Sequence, residues 1–145
     1  MTIEIREFEI TDHDAAIALW RNADGVTMRD ADSREAIAAY LERNRGLSFV
    51  AVDAGRLIGA ALCGTDGRRG YLNHVAVAND RRRAGVGRRL AERCFAELEA
   101  RGIQKCHLMV VSTNTAAKTF WASVGWAERP DVILMSRTTP GATNA

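Results

Sequence analysis

Arg82-Arg83-Ala84-Gly85-Val86-Gly87 gathers charge and backbone freedom into six consecutive residues. Arginine supplies fixed positive charge and paired donors. Glycine lets the main chain approach a ligand closely and tolerates positive φ. The stretch follows the apolar run Tyr71-Leu72-Asn73-His74-Val75-Ala76-Val77 and opens an amphipathic segment over residues 86–101. A strand therefore feeds a loop, and the loop feeds the first turn of a helix. That turn carries unpaired N–H groups and the positive end of the helix dipole, which together favour phosphate. The chemistry expected here is retention of a phosphorylated ligand.

Two common glycine-rich loops are excluded. A dinucleotide fingerprint needs G-x-G-x-x-G, but Gly85-Val86-Gly87-Arg88-Arg89-Leu90 lacks the third glycine. A P-loop ends in Gly-Lys-Ser/Thr, and Arg88 follows Gly87 instead. What remains is R-x-x-G-x-G. With Arg82, Gly85 and Gly87 in place, the chain resembles the GNAT superfamily of acyl-CoA-dependent N-acetyltransferases, as a small bacterial-type single-domain member. A second stretch strengthens the resemblance. Asn114, Ala117, Phe120 and Gly125 match the family's N-x-x-A-x-x-F-Y-x-x-x-G-F, with Trp121 in place of its Tyr and Trp126 in place of its Phe.

The resemblance implies a mixed α/β sheet of order β-α-α-β-β-β-α-β-α-β, with two central strands splayed apart. It implies that acetyl-CoA is the cosubstrate. The pantetheine arm would lie along the main chain of Val75, Ala76 and Val77. The pyrophosphate would sit on the loop from Arg82 through Arg83, Ala84, Gly85, Val86, Gly87 and Arg88. Asn114 would contact the cofactor arm, or act only as a helix N-cap. Trp121 would pack on pantetheine, or belong to the core.

Transfer to an amine needs a proton acceptor for the nucleophile and a stabilised oxyanion. Many members of the family carry a carboxylate on the first splayed strand, but here that stretch reads Leu72-Asn73-His74. His74 is then the candidate base, since an ordinary imidazole titrates near about 6.5. Asn73 is the alternative, binding the acceptor or orienting a water. On a regular strand the two side chains point to opposite faces, so one of them lines the cleft. Trp121 cannot protonate a departing thiolate, because an indole N–H is only a hydrogen-bond donor. A thiol of pKa about 8.5 leaves tolerably without help.

The elements that must position these residues are legible in outline. Residues 2–8 alternate as a first strand. Thr11-x-x-Asp14 is a capping box for a helix to Arg21 that buries Ile17, Leu19 or Trp20. Residues 22–32 form a polar loop, and Asp24, Asp30 and Asp32 make it acidic, a rim suited to a cationic amine. Asp32 or Ser33 caps a second helix with Ile37, Tyr40 and Leu41 at helical spacing, stopped by Gly46. Strands follow at 48–53 and 56–64, joined by Asp53-Ala54-Gly55. The helix at 86–101 buries Val86, Leu90, Cys94 and Leu98. A strand at 105–111, a short helix and a last strand at 131–137 complete one domain over residues 1–138, with 139–145 as a flexible tail.

At 145 residues and 47% hydrophobic, with a mean hydropathy of −0.17, the chain is long enough for one real core. A net charge of +2 gives no global attraction to nucleic acid or membrane. Cys63, Cys94 and Cys106, and His13, His74 and His107, have no metal-ligand spacing. No apolar run approaches the ~20 residues of a membrane span, and no signal peptide is visible. The expected setting is the cytoplasm, with reduced cysteines and no metal. The acceptor is an amine-bearing small molecule or a protein amino group, and a homodimer is compatible with the family. Two other readings stay open: a weakly catalytic CoA-binding or sensing module on the same fold, and a small RNA-associated protein using the arginines at 81–89.

Overall fold

Alternation along Phe49-Val50-Ala51-Val52 sends neighbouring side chains to opposite faces of a strand, and both faces are covered. The computed structural model describes residues 2–145. In it, β1 (Glu4–Glu7), β2 (Phe49–Asp53), β3 (Arg56–Thr65), β4 (Gly70–Val77) and β5 (Cys106–Leu108) form one sheet in that order. The first four strands pair antiparallel, and β4 pairs with β5 in parallel. Helices α1 (His13–Arg21), α2 (Arg34–Arg43), α3 (Val86–Ala100) and α4 (Thr115–Ser123) complete the mixed α/β architecture.

The two faces have separate cores. Phe49, Ala51, Ile58, Ala61, Cys63 and Leu72 meet Val86, Leu90, Cys94 and Leu98, the expected stripe of α3. Val50, Ala60, Leu62 and Ala76 meet Trp20 of α1 and Ile37 of α2. Trp20 is wholly buried, while Ile17 and Leu19 are partly so. Helix α3 can lie this close because Gly59 has no side chain. A Cβ there would stand 2.9 Å from both Leu90 and Val86.

Several boundaries differ from the sequence reading. Helix α1 is entered through a 3-10 turn at Ile10–Asp12, where the Asp12 carboxylate accepts from the Glu9 amide at 2.9 Å. The cap is thus built on Glu9 and Asp12 rather than on Thr11 and Asp14. For α2 the cap is Ser33, whose hydroxyl accepts from the Ala36 amide at 3.1 Å. The strand expected at 105–111 shortens to Cys106–Leu108. The expected last strand at 131–137 does not form. Ile133 and Met135 there are 83% and 84% exposed, because an apolar run without a pairing partner has no ladder to join. The segment at 139–145 ends against the α1–α2 loop, where the Asp30 amide donates to the Asn144 carbonyl at 3.0 Å.

Candidate active site

The parallel ladder between β4 and β5 holds only Gly70, Tyr71 and Leu72 against Cys106, His107 and Leu108. Beyond Leu72, β4 runs on to Val77 while β5 has ended. Val75, Ala76 and Val77 therefore have no β5 neighbour, which is the splay. At the far end of β4 a 3-10 turn, Asn79–Arg81, leads to the arginine–glycine loop. Gly85 caps α3 at φ +78, and Arg83 also has positive φ, +68. This curls the chain so that the Val86, Gly87 and Arg88 amides precede the first intrahelical bond, from the Arg89 amide to the Gly85 carbonyl at 3.0 Å. Gly87 borders Phe120 and Val77, which a Cβ would meet at 3.4 and 3.6 Å.

The arginines divide by role. Arg81 is ion-paired with Asp53, and Arg56 is bidentate on Asp80 at 2.8 and 2.9 Å, so this turn is tied to β2 and β3. Arg89 donates to the Ile3 carbonyl at 3.2 Å. Arg82, Arg83 and Arg88 are exposed and make no ion pair with any other described residue. They are the charge that remains for a ligand.

Across the gap, Asn114 caps α4, its side-chain oxygen accepting from the Ala117 amide at 3.1 Å. Its amide nitrogen would stand 3.0 Å from a Cβ on Gly25, so the α1–α2 loop touches α4 here. Trp121 packs edge-on against Phe120 and Trp126, with ring centroids 4.9 and 5.5 Å apart. It also joins the core on the α3 face.

At the centre of β4 the pairing slips. Ala76 faces Ala60 and Asn73 faces Leu62, so His74 and Val75 together oppose the single residue Ala61. His74 takes up the extra residue with φ +51. Such a bulge breaks the two-residue alternation. Asn73 and His74 therefore both turn to the α1–α2 face, which corrects the expectation of opposite faces. Asn73 lies beside the Tyr40 hydroxyl of α2, which makes no hydrogen bond of good geometry; burial pushes its phenol well up. His74 lies against Trp20, ring centroids 5.2 Å apart. The Trp20 indole N–H donates to the His74 carbonyl at 2.7 Å, satisfying a group that the bulge takes out of the ladder.

His74 Nε2 is also 2.8 Å from the carboxylate of Asp32, 42 residues away in sequence. Sequence reading placed Asp32 only among helix caps and an acidic rim. The pairing of a carboxylate with the strand histidine had no local signal. Cys63, Cys94 and Cys106 are free thiols, and burial pushes Cys106 up to about 12, so it offers no thiolate. Among the described residues no group of three potential metal ligands converges, and no helix is long and apolar enough to cross a membrane.

Residues 10–126 match the Acetyltransferase (GNAT) family. The chain belongs to that family. It is 30% identical over 135 residues to the acetyltransferase SG1711 of Sodalis glossinidius, covering 93% of this chain and 94% of that one. Among solved structures, the ribosomal-protein-S18-alanine N-acetyltransferase of Escherichia coli superposes with a TM-score of 0.73 at 29% identity, over 88% of this chain and 79% of that one. The PaiA N-acetyltransferase of Thermoplasma acidophilum, solved with coenzyme A, shares the fold with a TM-score of 0.76 at 21% identity, over 85% and 88%. Membership carries acyl transfer as the general chemistry of this GNAT chain.

Proposed function

We propose that this GNAT chain is an acetyl-CoA-dependent N-acetyltransferase that acts on a primary amine by direct attack. The observation that carries the reading is the parting of β4 from β5 after Leu72. The phosphate-suited loop lies beyond one end of that gap, and His74 sits on its wall. Backbone groups of Val75, Ala76 and Val77 face the pantetheine arm. Amides from Ala84 to Arg88, with Arg82 and Arg83, hold the pyrophosphate. Asn114 and Trp121 border the arm from α4. His74 takes the proton from the attacking amine, directly or through a water held by Asn73. The amine nitrogen then bonds to the thioester carbonyl carbon, and the C–S bond breaks as coenzyme A leaves.

The acceptor is an amine-bearing small molecule or a protein amino group. The substrate of the Escherichia coli relative, an alanine of a ribosomal protein, supports the protein alternative. The exposed acidic residues Asp24 and Asp30 of the α1–α2 loop favour a cationic amine approaching from that side, while Asp32, the third acid of the expected rim, is buried against His74. We place the protein in the cytoplasm, as one domain over residues 1–138, with homodimerisation as an option.

Calorimetric titration of acetyl-CoA into wild type and Gly85→Glu tests the reading. A Cβ on Gly85 would meet nothing within 4 Å, so the variant has room to fold, with about 1–2 kcal/mol of strain from its positive φ. Binding by wild type and not by the variant is expected. Absence of binding by folded wild-type protein overturns the reading. Binding without turnover of an alanyl peptide, a polyamine or an aminoglycoside favours the CoA-sensing module, for which Trp121 in the family's Tyr position speaks.

A further inference from the structure

We infer that Asp32 is a positioning residue for His74, fixing its ring as the Nε2–H tautomer and leaving Nδ1 as the proton acceptor. The inference rests on the reading of His74 as the base. An ionised carboxylate only accepts hydrogen bonds, so the ring nitrogen 2.8 Å from it is the one carrying hydrogen. The other nitrogen, Nδ1, then keeps its lone pair. It makes no hydrogen bond with any described residue, and the side chain remains 23% exposed.

Asp32 is itself held from three sides. Its second carboxylate oxygen accepts from the Arg29 amide at 2.9 Å. Its own amide donates to the Arg29 carbonyl at 2.9 Å. Its carbonyl lies 2.9 Å from Nε2 of the buried His13. The side chain is only 8% exposed, so the pair is shielded from competing water. His74 is clamped in turn by the bulge and by Trp20. A base oriented by a hydrogen-bonded third group, itself immobilised, is the arrangement that activates nucleophiles in unrelated hydrolases and transferases. The carboxylate that the strand lacks is thus delivered by the turn that opens α2.

The charged and titratable groups around the ring are few. Asp32 comes from a 3-10 turn, Asp30–Asp32, just ahead of α2, and His13, with Asp14 at 3.9 Å from its Nδ1, comes from α1. Arg29 contributes an amide rather than its guanidinium. The rival role is a staple that merely ties the α1–α2 loop to β4. A staple changes stability but leaves the tautomer and the turnover of the folded fraction alone.

Two measurements decide it. Long-range 15N–1H correlation spectra of wild-type protein should show His74 protonated at Nε2 and bare at Nδ1. The opposite tautomer overturns the inference, whether or not any variant folds. In Asp32→Asn the carboxamide can donate to Nε2 and reverse the tautomer. With acetyl-CoA and the acceptors named above, kcat should fall about 10²–10³-fold, while affinity for acetyl-CoA changes less than about twofold. Asp32→Glu should recover part of the loss, and Asp32→Asn should add little on top of His74→Gln. Unchanged kcat, or a loss matching only the unfolded fraction, overturns the inference. Failure of wild type to bind acetyl-CoA sinks the acetyltransferase reading instead, and the tautomer then stands or falls by its own spectrum.

Discussion

His74 is held at φ +51, a conformation that costs a non-glycine residue about 1 kcal/mol or more. Asn tolerates the left-handed region far better than most residues, which offsets the hydrogen bond to Asp32 that its shorter carboxamide gives up. His74→Asn therefore separates chemistry from folding. The melting temperature should stay within about 4 °C of wild type, since one relieved kcal/mol is worth about 2–4 °C in a chain of this size. Turnover should drop about 10²–10⁴-fold, the usual share of a general base. A melt paired with initial rates checks both halves, and retained turnover would remove His74 from the reaction. Asn73 stands apart: it faces Tyr40 rather than Asp32, so Asn73→Ala should leave the His74 tautomer unchanged in the same nitrogen–proton spectra.

Helix α3 carries the phosphate-suited loop at its N-terminus, and its seat on the sheet is set by an absent side chain. A methyl at Gly59 would stand 2.9 Å from Leu90 and Val86 and 3.4 Å from Ala51. These are buried neighbours with nowhere to move, so Gly59→Ala should cost about 1–3 kcal/mol in urea denaturation. It should also weaken acetyl-CoA binding, because Val86 is the first residue of the helix. An unshifted denaturation midpoint would mean that the helix rides higher than described. This helix was legible in the sequence, since a stripe at Val86, Leu90, Cys94 and Leu98 has one period and one possible face. Gly85 as its start and Asn114 as the cap of α4 were legible for the same reason: backbone geometry there is dictated locally. Strand extents were less so. Residues 109–111 and 132–135 are apolar, but apolarity does not say which neighbour completes a ladder. The bulge at His74 hid too, because it is a slip between two strands rather than a property of either. Asp32 and His74 meet across 42 residues, and nothing around Asp32 distinguishes a base-orienting carboxylate from an ordinary turn residue.

At the scale of the whole molecule, a net charge of +2 conceals a sorting of partners. Arg81, Arg56 and Arg6 are spent on Asp53, Asp80 and Asp12, while Arg82, Arg83 and Arg88 at the glycine-rich loop make no ion pair with any other described residue. Of these pairs, Arg6–Asp12 is the one expected to govern acid stability. Burial alone would raise the Asp12 carboxyl, but the Arg6 guanidinium at 2.8 Å and the Glu9 amide outweigh it and hold it below its ordinary 3.8. A carboxyl depressed by folding stabilises the native state fully above its unfolded value. That contribution is lost as pH falls through the lower, folded value. Melting temperature should thus be level down to about pH 5 and decline below about pH 4. Asp80 and Asp131 are also held low by Arg56 and Arg129, but they are exposed, so salt should screen their part. The Asp12 side chain is only 11% exposed, and its part should survive 0.5 M NaCl. Asp12→Asn should cost about 1–2 kcal/mol at neutral pH and flatten the acid decline measured in high salt. A variant that declines as steeply as wild type there would move the acid-sensitive contact elsewhere in the fold.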